Sequence, residues 1–135
     1  MKNLLLIISL LLCFSSCENY SHTKNYEFMV ANQLDDKTVK IVPKSKTDFW
    51  ITSSESYIVV PREKIIIGSK IIVDDNKKAT DIYKLDDIIE PFDVYIDEIK
   101  QEKAFSVRKF WDFSLGKVNE SGKYILIINE SKLTD

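Results

Sequence analysis

An antiparallel β-sandwich is the fold class this sequence predicts, and three observations predict it. Short apolar runs rich in Ile, Val, Phe and Tyr recur at spacings of eight to twelve residues, separated by Asn, Asp, Gly, Ser and Pro. Within most of these runs, apolar and polar residues alternate with a period of two, as a strand with one buried face requires. Only one stretch, Thr80 to Glu90, carries helical spacing. The expected architecture is about seven to nine short strands in one domain.

Tyr26, Phe28 and Val30 alternate with Glu27 and Met29 and define the first strand. A second run, Thr38 to Val42, places Val39 and Ile41 on one side. With Leu34-Asp35-Asp36-Lys37 between them, these two runs predict an opening hairpin. Phe49 to Thr52 and Ser56 to Val60 follow as strands, and Pro61 closes the latter because proline cannot donate to a central ladder. Ile65-Ile66-Ile67 and Ile71-Ile72-Val73 flank Gly68-Ser69, which predicts either a two-residue hairpin or one strand bent at a bulge. Asp74-Asp75-Asn76-Lys77 reads as a turn.

Between Thr80 and Glu90, Ile82, Leu85 and Ile89 fall at spacings of three and four, and Pro91 would stop a helix. Asp86, Asp87 and Glu90 would set negative charge against the negative end of its dipole. A single turn or two is therefore expected near residues 80–90. Phe92, Val94 and Ile96 alternate with Asp93, Tyr95 and Asp97; Val107, Trp111, Phe113 and Leu115 share one face of a further strand. Tyr124 to Ile128 is apolar on both faces, which predicts a strand near the centre of a sheet.

The amino terminus has a different character. Lys2, an apolar run from Leu4 to Phe14 interrupted only by Ser9, and Ser15-Ser16-Cys17 make up the charged, apolar and small-residue regions of an export signal. A run of eleven residues is too short to cross a bilayer, which takes roughly 20 in a helix. Phe14-Ser15-Ser16-Cys17 resembles the lipobox of bacterial lipoproteins, with Phe14 in place of the more usual Leu. That resemblance implies cleavage after Ser16 and acylation of Cys17, which would hold the protein on a membrane through its acyl chains. Residues 1–16 then form the signal peptide, 17–25 the lipidated cysteine and a polar tether, and 26–135 the folded domain. Ordinary secretion with a free thiol is the alternative for this segment.

Cys13 leaves with the signal, so Cys17 stands alone in the mature chain and an intramolecular disulfide is excluded. Loss of Lys2 takes the 19 basic and 21 acidic side chains to 18 and 21, a mixed and mildly acidic balance. A basic stripe of the kind that follows a phosphate backbone is missing, which argues against nucleic-acid binding.

Catalytic constellations are scarce. The single histidine, His22, falls in the expected tether, a poor place to hold the geometry of a nucleophile and its base. With neither Cys nor His in the expected domain, zinc sites are disfavoured, and Asp74-Asp75-Asn76 lacks the glycine and spaced acids of a calcium loop. Adjacent acids such as Asp86-Asp87 point to opposite faces or into solvent and form no facing pair. Three glycines leave no phosphate-cradling loop. No metal or cofactor is expected.

Aromatics are the remaining functional signal. Phe49-Trp50 and Phe110-Trp111 set neighbouring rings on opposite faces if they lie on strands, so one of each pair would meet solvent or a partner. Trp50, Phe49 and Trp111 are accordingly the candidate ligand-binding residues, Trp50 first because a polar stretch, Lys44 to Asp48, precedes it.

Taken together, the opening strand from Tyr26 to Asn32, Tyr57-Ile58-Val59-Val60-Pro61, Phe92-Asp93-Val94-Tyr95-Ile96 and Gly122-Lys123-Tyr124-Ile125-Leu126-Ile127 resemble small immunoglobulin-like lipoproteins of gut Bacteroidota, many without an assigned activity. The resemblance implies an immunoglobulin-like sandwich anchored by lipid in the cell envelope, on the outer membrane, with the lone Glu18 after Cys17 favouring the periplasmic face. The functional expectation is a non-catalytic binding or accessory module for an envelope protein or a glycan. A small carboxylate-dependent hydrolase and a structural spacer or assembly subunit are the alternatives.

Overall fold

The structure, a computed structural model, describes residues 21–74, 78–82, 84–117 and 121–134. Its strands are β1 (His22–Asn32), β2 (Val39–Pro43), β3 (Tyr57–Val59), β4 (Lys64–Asp74), β5 (Phe92–Ile96), β6 (Ile99–Lys100), β7 (Trp111–Leu115) and β8 (Ser121–Ile128). They form two four-stranded sheets, ordered β4-β1-β8-β7 and β3-β2-β5-β6. The protein is an all-β sandwich, with eight strands among the described residues. A short helix, α1 (Glu130–Thr134), follows β8, and single 3-10 turns occupy Leu85–Asp87 and Arg108–Phe110. The first of these is the only helical piece in the described part of residues 80–90.

The core lies where the inward positions of the two sheets meet. Tyr26, Phe28 and Val30 of β1 and Tyr124, Leu126 and Ile128 of β8 face Val39 and Ile41 of β2 and Val94 and Ile96 of β5, all of them buried. Leu85 and Ile89 close one side, so the spacing that looked helical in sequence is used by a 3-10 turn and the residues after it.

Four expectations are corrected. The opening hairpin does not form: β1 pairs with β4 and β8, while β2 pairs with β3 and β5 in the opposite sheet. Asn32 makes the corner. Its buried amide donates to the carbonyls of Lys37 and Val59 at 2.8 and 2.9 Å, and its side-chain oxygen accepts from the Leu34 amide, which turns the chain from one sheet to the other. Pairing is not wholly antiparallel, because β1 and β8 run parallel from Asn25↔Ser121 to Asn32↔Ile128. The last part of the expected tether, from His22 to Asn25, belongs to β1, where it pairs with β4 and where Lys24 is fully buried against the Asp74 carboxylate. Val107 lies outside β7, separated from it by the 3-10 turn at Arg108–Phe110.

Gly68 sits inside one continuous strand. The register of β1 against β4 shifts between Phe28 and Met29, so Ile67 is an extra residue, and the bent-strand alternative holds. No glycine in the described residues has a positive φ. Gly68 is needed for space: a Cβ there would collide with the Phe49 ring.

Candidate functional site

The aromatic residues singled out from sequence are brought together, but inside the core. Phe49 and Trp50 are not on a regular strand; Trp50 makes a single bridge to Gly68, with the Ile51 amide donating to the Ile67 carbonyl and the Ser69 amide to that of Phe49. Strand alternation therefore does not apply, and both rings turn inward. Phe28 packs on Phe49 at 5.0 Å, Phe49 on Trp50 at 4.9 Å, Trp50 on Phe92 at 6.2 Å, Phe92 on Trp111 at 6.3 Å and Trp111 back on Phe28 at 5.8 Å. This closed circuit welds both sheets and the linker into one core. Trp50, at 7% exposure, offers no platform to a ligand, and neither do Phe49 and Trp111 at 1%. Cys17 and Ser16 lie outside the described residues.

A polar network pins the segment that covers one flank. Arg108 donates through Nε to Asp81 at 2.8 Å and through a terminal nitrogen to the same carboxylate, and it also donates to the Trp111 carbonyl. The Tyr124 hydroxyl donates to Asp81 at 2.9 Å and accepts from the Ile82 amide. The Arg108 guanidinium holds the Asp81 carboxyl below the usual carboxylate range. Burial pushes the Tyr124 phenol far above its ordinary value. Every polar group here is engaged with another part of the chain, as in a structural clasp.

The arrangement best suited to a ligand lies elsewhere. Lys103, Ala104, Val107, Lys109, Phe110 and Lys132 line an open concavity of about 460 Å³ where the loop entering β7 meets α1. Phe110 forms its aromatic wall, held by Phe105 at 5.1 Å. The Lys109 ammonium stands 4.8 Å over the Phe110 ring. Lys103 donates to the Lys132 carbonyl at 2.8 Å, and Lys132 to the Phe110 carbonyl at 3.1 Å. Among the described residues none of these three ammonium groups is paired with a carboxylate. Six other lysines are so paired: Lys24, Lys37, Lys40, Lys44, Lys100 and Lys123. Sequence reasoning missed this site because Lys132 lies far along the chain from Lys103 and Lys109. The only local signal was the pair of lysines flanking Ala104-Phe105-Ser106-Val107 and Arg108.

Two further concavities carry mixed charge, one with Arg62, Glu63 and Lys64 in its lining and one with Asp48 and Lys70. Among the described residues no three His, Cys, Asp or Glu side chains are placed to share a metal ion, and no helix is long and apolar enough to cross a membrane. Compared with family models, with curated proteins and with solved structures, the chain matches none.

Proposed function

We propose that the protein is a lipid-anchored lipoprotein of the cell envelope, of the small immunoglobulin-like kind found in Bacteroidota, and that it acts by binding a partner and not by catalysis. Acylation of Cys17 after cleavage behind Ser16 would tether it to the outer membrane, on the periplasmic face. The observation that carries the binding reading is the concavity at Phe110, with three lysines that no carboxylate within the described fold neutralises. Four carboxylates are held in ion pairs, Asp81 with Arg108, Asp93 with Lys44 and Lys100, Glu98 with Lys40 and Glu130 with Lys37, which suits a structural role for them.

One feature favours assembly as a second reading. β4 is an edge strand, and beyond Ser69 no described residue forms a backbone ladder with its outer side, where Ile71 and Val73 are exposed. A photoreactive phenylalanine analogue placed in intact cells at Ala104, Ile71 or the exposed Glu55 separates these readings. An adduct with another envelope protein at position 104 but not at 55 is the expected result, and a self-adduct at 71 alone would favour assembly. Anchoring is checked by the mass of the detergent-extracted chain, which should begin at Cys17 and carry acyl chains; Cys17→Ser should shift the protein from the membrane to the soluble fraction.

A further inference from the structure

We infer that the concavity at Phe110 takes an acidic peptide segment of a partner protein, seating one aromatic or branched aliphatic side chain against Phe110 and Val107 while carboxylates on either side face Lys103, Lys109 and Lys132. The inference deepens the binding reading proposed above and rests on it for the placement of the site, though not for the chemistry of the ligand.

Placement follows from topology. β1 begins five residues after Cys17, and five residues reach at most about 17 Å, so the His22 end of the sandwich is held next to the anchoring membrane. β1 then runs for 11 residues, a rise of roughly 33 Å, to Asn32. Since β8 is parallel to β1, its end at Ile128 lies beside Asn32. β7 runs antiparallel to β8 with Trp111 opposite Leu126, which puts Phe110 near that same far end, and α1 with Lys132 follows Ile128 directly. The three lysines are thus carried to the end of the molecule remote from the bilayer. A partner in the aqueous space is positioned to meet them, whereas the headgroups of the anchoring membrane are not.

The chemistry follows from the lining. Three ammonium groups around one opening attract anions, and among the described lining residues there is no carboxylate to cancel that attraction. Ala104, Val107 and the Phe110 ring present an apolar wall that a lone inorganic anion would leave wet. The described lining residues also include no Asp, Glu, Asn or Gln, the side chains whose oxygens and amides orient neutral sugar hydroxyls. A short acidic peptide with one large apolar side chain satisfies both the charge and the wall.

The test uses the full-length chain in neutral detergent micelles and a fluorescein-labelled peptide with two glutamates on either side of a phenylalanine. Saturable anisotropy is expected, weakening severalfold as the salt is raised from about 50 to about 300 mM. Replacing the peptide's Phe by Ala should weaken binding about tenfold, by the loss of its apolar burial. Lys109→Glu should weaken it by about tenfold as well; Lys109 is exposed and its ammonium only overlies a ring, so the fold does not depend on it. Lys46→Glu, beyond the membrane-side end of β2, should leave affinity unchanged. Equal binding by Lys109→Glu, equal losses in both variants, or equal affinity for a peptide with lysines in place of glutamates would each overturn the inference. Binding to phosphatidylglycerol vesicles with none to the peptide would overturn it in favour of a lipid ligand. A partner adduct at Ala104 in cells without peptide binding would sink the acidic-peptide assignment while leaving the binding reading standing.

Discussion

Trp50 and Trp111 occupy the same aromatic circuit with opposite polar fates. Trp111 donates its Nε1 hydrogen to the Phe105 carbonyl at 2.7 Å, whereas the Trp50 Nε1 is buried with no partner among the described residues. A buried donor left unsatisfied costs about 1–3 kcal/mol, so replacing Trp50 removes a liability along with a ring. Trp50→Phe and Trp111→Phe delete the same volume. Trp111→Phe is therefore expected to be less stable than Trp50→Phe by about 1–2 kcal/mol, because it also orphans the Phe105 carbonyl. Midpoints of urea unfolding for the two variants measure that difference, and equal midpoints would refute the assignment of the hydrogen bond. Lys24 shows a related economy: its fully buried side chain pairs with Asp74 on the neighbouring strand, whose carboxylate still reaches water.

Connections between elements hold the strain that the strands avoid. Glu63 donates to the Val60 carbonyl at 3.2 Å across Pro61-Arg62, with Arg62 at φ 66°, a turn whose third position ordinarily favours glycine. Asp97 and Glu98, at φ 47° and 66°, join β5 to β6 in a two-residue hairpin of the primed kind, where Asn-Gly is the usual pair. Arg62→Gly and Glu98→Gly should each raise stability by about 0.5–1 kcal/mol, since a side chain in left-handed backbone costs roughly 1–2 kcal/mol and glycine returns part of this as added chain entropy. The ion pairs surrendered, Arg62 with Asp35 and Glu98 with Lys40, are solvent-exposed and contribute little. A fall in thermal midpoint for both variants would contradict this. These turns were not legible because neither contains glycine, while Gly68, which suggested a turn, serves a strand that must pass close to Phe49.

Over the whole molecule, the ionisable groups set the pH range of stability. Asp81 and Asp93 have carboxyls held below their ordinary value of 3.8, by Arg108 in one case and chiefly by Lys100 in the other. A depressed folded-state pKa adds stability that is present above the unfolded value and lost as pH falls through the folded one, so this contribution should fade below about pH 4. Tyr124 works at the other limit. Its phenol ionises more readily in the unfolded chain than in the folded protein, so stability should decline above its ordinary value of 10. Unfolding midpoints from pH 3 to 11 should show a plateau with losses at both ends; Asp81→Asn should flatten the acid limb, and an unchanged limb would show that the clasp contributes nothing.

The amino-acid sequence by itself determined that this chain makes short strands, where most of them run, and which side of each is apolar: Phe92, Val94 and Ile96 all face the core, and β8 lies between two neighbours as its two-sided apolar run requires. Those properties depend on residues two apart, and local order carries them. Only tertiary structure decided that β1 and β2 part into opposite sheets, that β1 and β8 run parallel, that Trp50 turns inward, and that Lys103, Lys109 and Lys132 share one opening. Each of those outcomes depends on contacts between distant segments, such as Asn32 with Val59 or Lys132 with Phe110, and alternation along one strand carries no record of them.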